Sequence, residues 1–160
     1  MRGYVITIEL AAEEDICRIM EIERETISPP WTHGALLSEI YREDSFFAVA
    51  IYGAQSVASC SQIQGFVILR RVADEGELFQ IAVDKAARRC GVAGRLIEAA
   101  LRYAQENALR TIYLEVRKSN EAAISLYKKH GFKTVRTRKE YYSSPVEDAF
   151  IMKWSVDHGG

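Results

Sequence analysis

The sequence predicts an α+β fold: a central, mostly antiparallel sheet containing one parallel strand–helix–strand crossover. Three observations carry this. Apolar and alternating runs order as β-α-α-β-β-β-α-β-α-β-β along the chain. The strand runs at 46–52 and 65–71 follow each other with no helix between them, as antiparallel neighbours do. The runs at 77–83 and 111–116 flank a helix, which is the pattern of a right-handed parallel crossover.

Each element has its own signal. "YVITIEL" (4–10) alternates and reads as the opening strand. "EEDICRIMEIERETI" (13–27) places Ile16, Ile19, Met20 and Glu23 on one helical face, and Pro29 and Pro30 stop it. Trp31 follows on a loop, and a short helix covers about 33–41. "FFAVAIY" (46–52) and "GFVILRR" (65–71) are strands joined by a hairpin loop across 53–64. "ELFQIAV" (77–83) is the next strand, after the turn-like "ADEG". "GRLIEAALRYAQENAL" (94–109) is a helix whose buried stripe is Leu96, Ala99, Ala100, Tyr103 and Ala104. "TIYLEV" (111–116) is a strand and "NEAAISLYKKHG" (120–131) a helix, with Gly131 placed for a left-handed cap. "KTVRTRKEYY" (133–142) and "DAFIMKW" (148–154) close the chain as two strands, and "SVDHGG" is a frayed tail. The 160 residues suit one domain over 1–160, with its core at about 4–154.

Composition narrows the function classes. A formal net charge of -1 argues against general nucleic-acid binding, so any anion site must be built locally. Cys17, Cys60 and Cys90 are odd in number and lack CxxC spacing, against a disulfide framework or a zinc site. Free thiols fit the cytoplasm. His33, His130 and His158 show no metal-ligand spacing, so no metal is expected. No apolar run approaches a membrane span, and the N-terminus is too briefly apolar for a signal peptide.

"RRCGVAGRL" (88–96) is the stretch that asks for a ligand. A loop entering a helix aims free backbone N–H groups one way, and the helix dipole adds about half a positive charge there. Gly91 lets the backbone bend and approach closely, and Ala93 is the next smallest choice. Lys85, Arg88, Arg89 and Arg95 supply local positive charge. Neither GxxxxGK[ST] nor GxGxxG is present; the pattern is [QR]-x-x-G-x-[GA], written "RRCGVA". A plain strand-to-helix turn is the alternative. A second anomaly is Glu115 in "TIYLEVR". Alternation puts Ile112, Leu114 and Val116 on one face and Thr111, Tyr113, Glu115 and Arg117 on the other. A carboxylate in a covered strand is costly unless it faces a cleft or a cation, and a salt bridge with a nearby arginine would also explain it.

Three segments, "LFQIAVDKAARRCGVAGRLIEAAL", "IYLEVRKSNEAAISLYKKHGF" and "EDAFIMKW", together resemble the GNAT acyltransferase superfamily, and within it the RimI-like ribosomal-protein-alanine N-acetyltransferases. The similarity covers about residues 77–154, and "PPW" at 29–31 adds to it. The resemblance implies a sheet splayed to hold acetyl-CoA, with helices on both faces. It implies that the backbone of Arg89, Cys90, Gly91, Val92, Ala93 and Gly94, with Arg88 beside them, binds the pyrophosphate. Ile81, Ala82 and Val83 would hydrogen-bond the pantetheine arm and the acetyl carbonyl, a use of backbone N–H groups that follows oxyanion-hole logic. Glu115 falls on the proposed general base. Asn120 falls on a pantetheine ligand and Tyr127 on the general acid toward the departing thiolate. These two are seven residues apart, nearly two helical turns, so one face would carry both. For Asn120 a helix cap is the other reading, and for Tyr127 a core aromatic.

The chemistry asks for a base, because a protonated amine cannot attack a thioester. At pH 7 about a tenth of N-terminal amines are neutral, against fewer than about one lysine in a thousand. Acetyl transfer is expected to be direct, since no nucleophile has motif support and Cys90 sits in the phosphate loop. Trp31, Tyr141 and Tyr142 fall in the two regions that flank the family's acceptor groove. Glu140 stands where RimI-like proteins often carry Asn, which leaves acceptor preference open. The expected partner is the N-terminal peptide of an acceptor protein, with a ribosomal protein as the candidate, and the enzyme is expected to be a monomer or weak dimer. A GNAT acting on lysine or a small amine, and a non-catalytic acyl-CoA sensor, are the alternatives.

Overall fold

A computed structural model describes residues 5–27, 29–53 and 62–156. The expected loop at 53–64 and the expected frayed tail fall largely outside them. Among the described residues seven strands form one sheet: β1 (Ile6–Leu10), β2 (Ser45–Tyr52), β3 (Ile63–Val72), β4 (Glu75–Val83), β5 (Thr111–Arg117), β6 (Lys133–Tyr142) and β7 (Glu147–Ser155). Their order is β1-β2-β3-β4-β5-β7-β6, and every pairing is antiparallel except β4 with β5. The α-helices among the described residues are α1 (Ile16–Thr26), α2 (His33–Ile40), α3 (Val92–Glu106) and α4 (Glu121–Lys129).

The helices cover both faces. On one, Ile16, Ile19 and Ile22 of α1 and Leu36 of α2 pack on Phe47, Val49, Phe66 and Ile68. On the other, Leu96, Ile97 and Ala100 of α3 pack with Val67, Leu69, Ile112 and Leu114, and Ile124 and Tyr127 of α4 join them. Of the stripe expected on α3, Leu96, Ala100 and Ala104 are buried and Ala99 and Tyr103 partly so, while Ile97, outside it, is buried as well; α3 begins two residues earlier than its sequence pattern suggests. It also stops at Glu106 rather than at 109. Ala108 turns left-handed (φ 56°), and Leu109 N–H returns to the Ala104 carbonyl at 2.8 Å, closing the helix end. Gly131 has φ 95°, as its place after α4 requires.

Two irregularities shape the middle of the sheet. The first is that β4 and β5 pair only from Glu75↔Thr111 to Glu77↔Tyr113. Beyond that, Leu78–Val83 keep β3 on one side, Leu114–Arg117 keep β7 on the other, and the two strands part. The wedge between them has one backbone edge of each strand facing it. The second is a bulge: Ile68 pairs with Gln80 and Leu69 with Leu78, so Phe79 has no partner in β3. The extra residue sends Leu78 to the α3 core and Gln80 to the α1 side. Simple alternation along "ELFQIAV" misses this.

Gly65 fixes how closely α3 lies on this region. A Cβ there would stand 2.7 Å from the Ala82 carbonyl oxygen, with Leu96 and Val92 side chains at 3.1 and 3.2 Å. Backbone cannot yield as a side chain tip can. Gly65→Ala is expected to lower stability by about 1–3 kcal/mol, measured by urea unfolding. An unchanged midpoint would contradict the close packing.

Candidate active site

The loop before α3 is held from below. Asp84 accepts the Ala86 N–H at 3.0 Å and pairs with Arg18 of α1. Its carboxyl is held below the usual range, first by the Ala86 N–H and then by Arg18. The chain then makes a short 3-10 turn (Lys85–Ala87) and passes through two left-handed residues, Arg89 (φ 64°) and Gly91 (φ 81°). Gly91 caps α3, and Arg95 N–H bonds back to its carbonyl at 3.2 Å. The N–H groups of Val92, Ala93 and Gly94 form the open first turn. Arg88, Arg89, Cys90, Gly91 and Arg95 are exposed around it, while the Val92 side chain is buried and anchors the turn. This is a positively charged, donor-rich concavity of the kind that binds phosphate groups.

Val83 ends the parted stretch of β4 at the loop that enters α3, so Ile81, Ala82 and Val83 line the wedge next to the cradle. Asn120 is the N-cap of α4 rather than a residue within it: its Oδ1 accepts the Ala123 N–H at 3.2 Å. The cap reading therefore holds, and the amide NH2 is left to donate to a ligand. Tyr127 is buried, packed on Phe132 with ring centroids 5.8 Å apart. Burial raises its phenol pKa well above the ordinary value, with Tyr142 adding to the effect.

Glu115 opens onto the other side of the sheet from the α3 core. It lines a cleft of about 360 Å³ with Arg70, Glu75, Glu77, Tyr113, Arg136 and Arg138, among others. Its Oε1 accepts from Arg138 Nη1 at 3.2 Å, with the two side chains 28% and 47% exposed. The salt bridge foreseen as the alternative is present, but so is the cleft. A pair this exposed contributes little stability and separates readily. Tyr141 is held at the same carboxylate: its phenol pKa is raised, first by a hydrogen bond to Glu115 and then by burial. Tyr142 is pushed up to about 12 by burial and by the Glu115 charge. The Tyr142 phenol in turn adds to the rise at Tyr127. Arg117 lies 4.3 Å over the Tyr142 ring and pairs with Glu147 at 3.3 Å, bracing the hairpin.

Trp31, on the loop between α1 and α2, lines a separate depression that shares Arg70 with the Glu115 cleft. Its ring meets Phe79 edge-on at 6.3 Å, and Arg70 lies 5.8 Å over it. Arg70 is itself bound bidentately by Glu39. Buried Glu39 loses solvation, yet the Arg70 hydrogen bonds and charge hold its carboxyl below the usual range. Arg138, Arg70, Glu39 and Gln80 were not foreseen. For Arg138 only the run of charge in "KTVRTRKEYY" hinted at a partner. Among the described residues, no three His, Cys, Asp or Glu side chains group as metal ligands, and no helix is long and apolar enough to cross a membrane.

Comparison with known proteins bears on this arrangement. A profile of the acetyltransferase (GNAT) family matches residues 16–132. A "[Ribosomal protein bS18]-alanine N-acetyltransferase" of Haemophilus ducreyi is 35% identical over 148 residues, 91% of this chain and 97% of that protein. The crystal structure of the ribosomal-protein-S18-alanine N-acetyltransferase from Escherichia coli superposes with a TM-score of 0.82 at 30% identity, covering 98% of this chain and 97% of that one. Ard1 from Thermoplasma volcanium gives 0.80 at 28%, covering 94% and 97%. The parted β4–β5 pair, the cradle before α3 and these matches lead to one assignment: the chain belongs to the acetyltransferase (GNAT) family.

Proposed function

We propose that this protein is an acetyl-CoA-dependent N-terminal acetyltransferase that transfers acetyl directly to the α-amine of an acceptor protein, an N-terminal alanine of a small-subunit ribosomal protein. The observation that carries the reading is the wedge between β4 and β5, with the cradle at its mouth and Glu115 lining a cleft beside β5. The names of relatives at 30–35% identity support this choice of acceptor. Acetyl-CoA, when bound, supplies an activated acyl group on a thiol leaving group.

The residues present fit such a donor. The N–H groups at the start of α3, with Arg88 and Arg89, would hold the diphosphate. The free edge of Ile81, Ala82 and Val83 would hold the extended arm, and the Asn120 NH2 would reach it from the opposite bank. Glu115 would take the amine proton, directly or through water, after the amine displaces Arg138. Tyr127 would donate a hydrogen bond to the sulfur as it leaves. Trp31, Tyr141 and Tyr142 would wall the acceptor groove. Cys90 is exposed, with its Sγ turned to the Arg88 carbonyl at 3.6 Å. That position in the cradle supports transfer without an acyl-cysteine.

Mass spectrometry tests the reading. Peptides with N-terminal alanine and one internal lysine, with the α-amine free or blocked, are incubated with acetyl-CoA and the enzyme. One acetyl group on the α-amine of the free peptide, and none on the blocked one, is the expected result. Lysine acetylation of the blocked peptide at an equal rate would overturn it.

A further inference from the structure

Glu23 is a fully buried carboxylate in the middle of α1. An apolar side chain there would serve the core at lower cost, because a buried carboxylate loses its hydration. That loss pushes its pKa up, against the opposing pull of Trp31 and Gln80. Its hydrogen bonds show what the buried charge is for. One carboxylate oxygen accepts the Trp31 backbone N–H. With the Gln80 amide turned as its two neighbours require, the other accepts the Gln80 NH2 at 2.8 Å, and the Gln80 carbonyl accepts the Trp31 indole Nε1–H at 2.7 Å. Three residues from α1, β4 and the α1–α2 loop thus close a ring in which each of these donors has its acceptor. Gln80 faces this ring only because the bulge at Phe79 turns it there. It is also the residue next to Ile81, where the free edge of β4 runs toward the cradle.

We propose that Glu23 and Gln80 are positioning residues that lock Trp31 in place as a wall of the acceptor site and tie that wall to the donor strand β4. The inference rests on the N-terminal acetyltransferase reading for what Trp31 faces, and on the ring alone for the lock. Neither residue touches a reacting atom. Their effect passes through Trp31, so it falls on acceptor recognition rather than on donor binding.

The ring can be broken and rebuilt. Glu23→Gln sets an NH2 against the Gln80 NH2; if Gln80 turns over, its NH2 then meets the indole N–H, so one donor lacks an acceptor either way. Gln80→Glu sets two carboxylates against each other. The double variant E23Q/Q80E restores the pattern at unchanged net charge. The amide now on α1 accepts the Trp31 N–H and donates to the carboxylate now on β4, whose second oxygen accepts the indole.

The test uses the full chain. KM for an Ala-initial peptide, KM for acetyl-CoA and kcat are measured for both single variants and the double. In parallel, acrylamide quenching of Trp31 is followed in a Trp154→Phe background, which leaves Trp31 as the one tryptophan. Each single variant is expected to raise peptide KM about tenfold or more, with acetyl-CoA KM within about twofold. Quenching is expected to rise in both singles, and the double to recover on both readouts. Singles with unchanged quenching, or a double no better than the singles, would overturn the lock. A wild-type enzyme inactive on α-amines would overturn the acceptor-wall assignment together with the reading beneath it. Quenching needs no substrate and separates the two failures.

Discussion

Glu115→Gln lowers kcat by about 10²- to 10⁴-fold, the range for loss of a general base, and leaves acetyl-CoA affinity near that of the wild type. Glutamine keeps the shape of the side chain and still accepts from Arg138 and Tyr141. It cannot take a proton. The lost ion pair lies half in solvent, so stability hardly moves. A pH profile separates a lost base from a disturbed cleft. Without Glu115 only amine already neutral in solution reacts, so the variant's residual rate climbs with pH and levels off near the α-amine pKa of about 8. Calorimetric titration with CoA checks the binding half. Wild-type kcat in the variant would remove Glu115 from the chemistry, and a parallel loss of CoA binding would make it a structural residue.

Tyr127→Phe is expected to lower kcat by about 10²- to 10⁴-fold as well. The phenol's burial keeps it protonated through neutral and moderately alkaline pH, so its hydrogen is available at any working pH. A departing alkyl thiolate has a conjugate-acid pKa of about 8.5. Full proton transfer to it from a phenol of raised pKa runs uphill. The role that fits is a hydrogen bond that strengthens as charge develops on sulfur, with water completing the transfer. Phenylalanine keeps the packing on Phe132, so folding is preserved. Single-turnover rates, which isolate the transfer step, should fall with kcat. A variant slowed only in product release would contradict the assignment.

Much of this site was legible before the structure, and for specific reasons. The turn into α3 was visible because a glycine in a charged run before an apolar helix marks a left-handed residue, and Gly91 has φ 81°. Glu115 stood out because a carboxylate on an apolar strand breaks a simple pattern, and the structure gives it both a cleft and an arginine partner. Tyr127 is buried against Phe132, as the core-aromatic reading of it expects. Asn120 was placed on the right element and one position too far inside it, since a cap and a first-turn residue look alike in sequence. Arg138, Arg70 and Gln80 were hidden because each acts across the sheet. Arg138 meets Glu115 at a sequence separation of 23, and Gln80 reaches Glu23 only through a one-residue bulge. Periodicity carries no trace of such a shift.

The most direct test is a crystal structure of the protein with a non-hydrolysable acetyl-CoA analogue. The diphosphate is predicted to sit on the backbone N–H groups between Arg89 and Gly94. The arm should lie in the gap between β4 and β5, and the sulfur within reach of the Tyr127 hydroxyl, with the acyl carbon open to an amine arriving from the Glu115 side. An analogue bound outside the gap, or one whose sulfur is walled off from both side chains, would contradict the account.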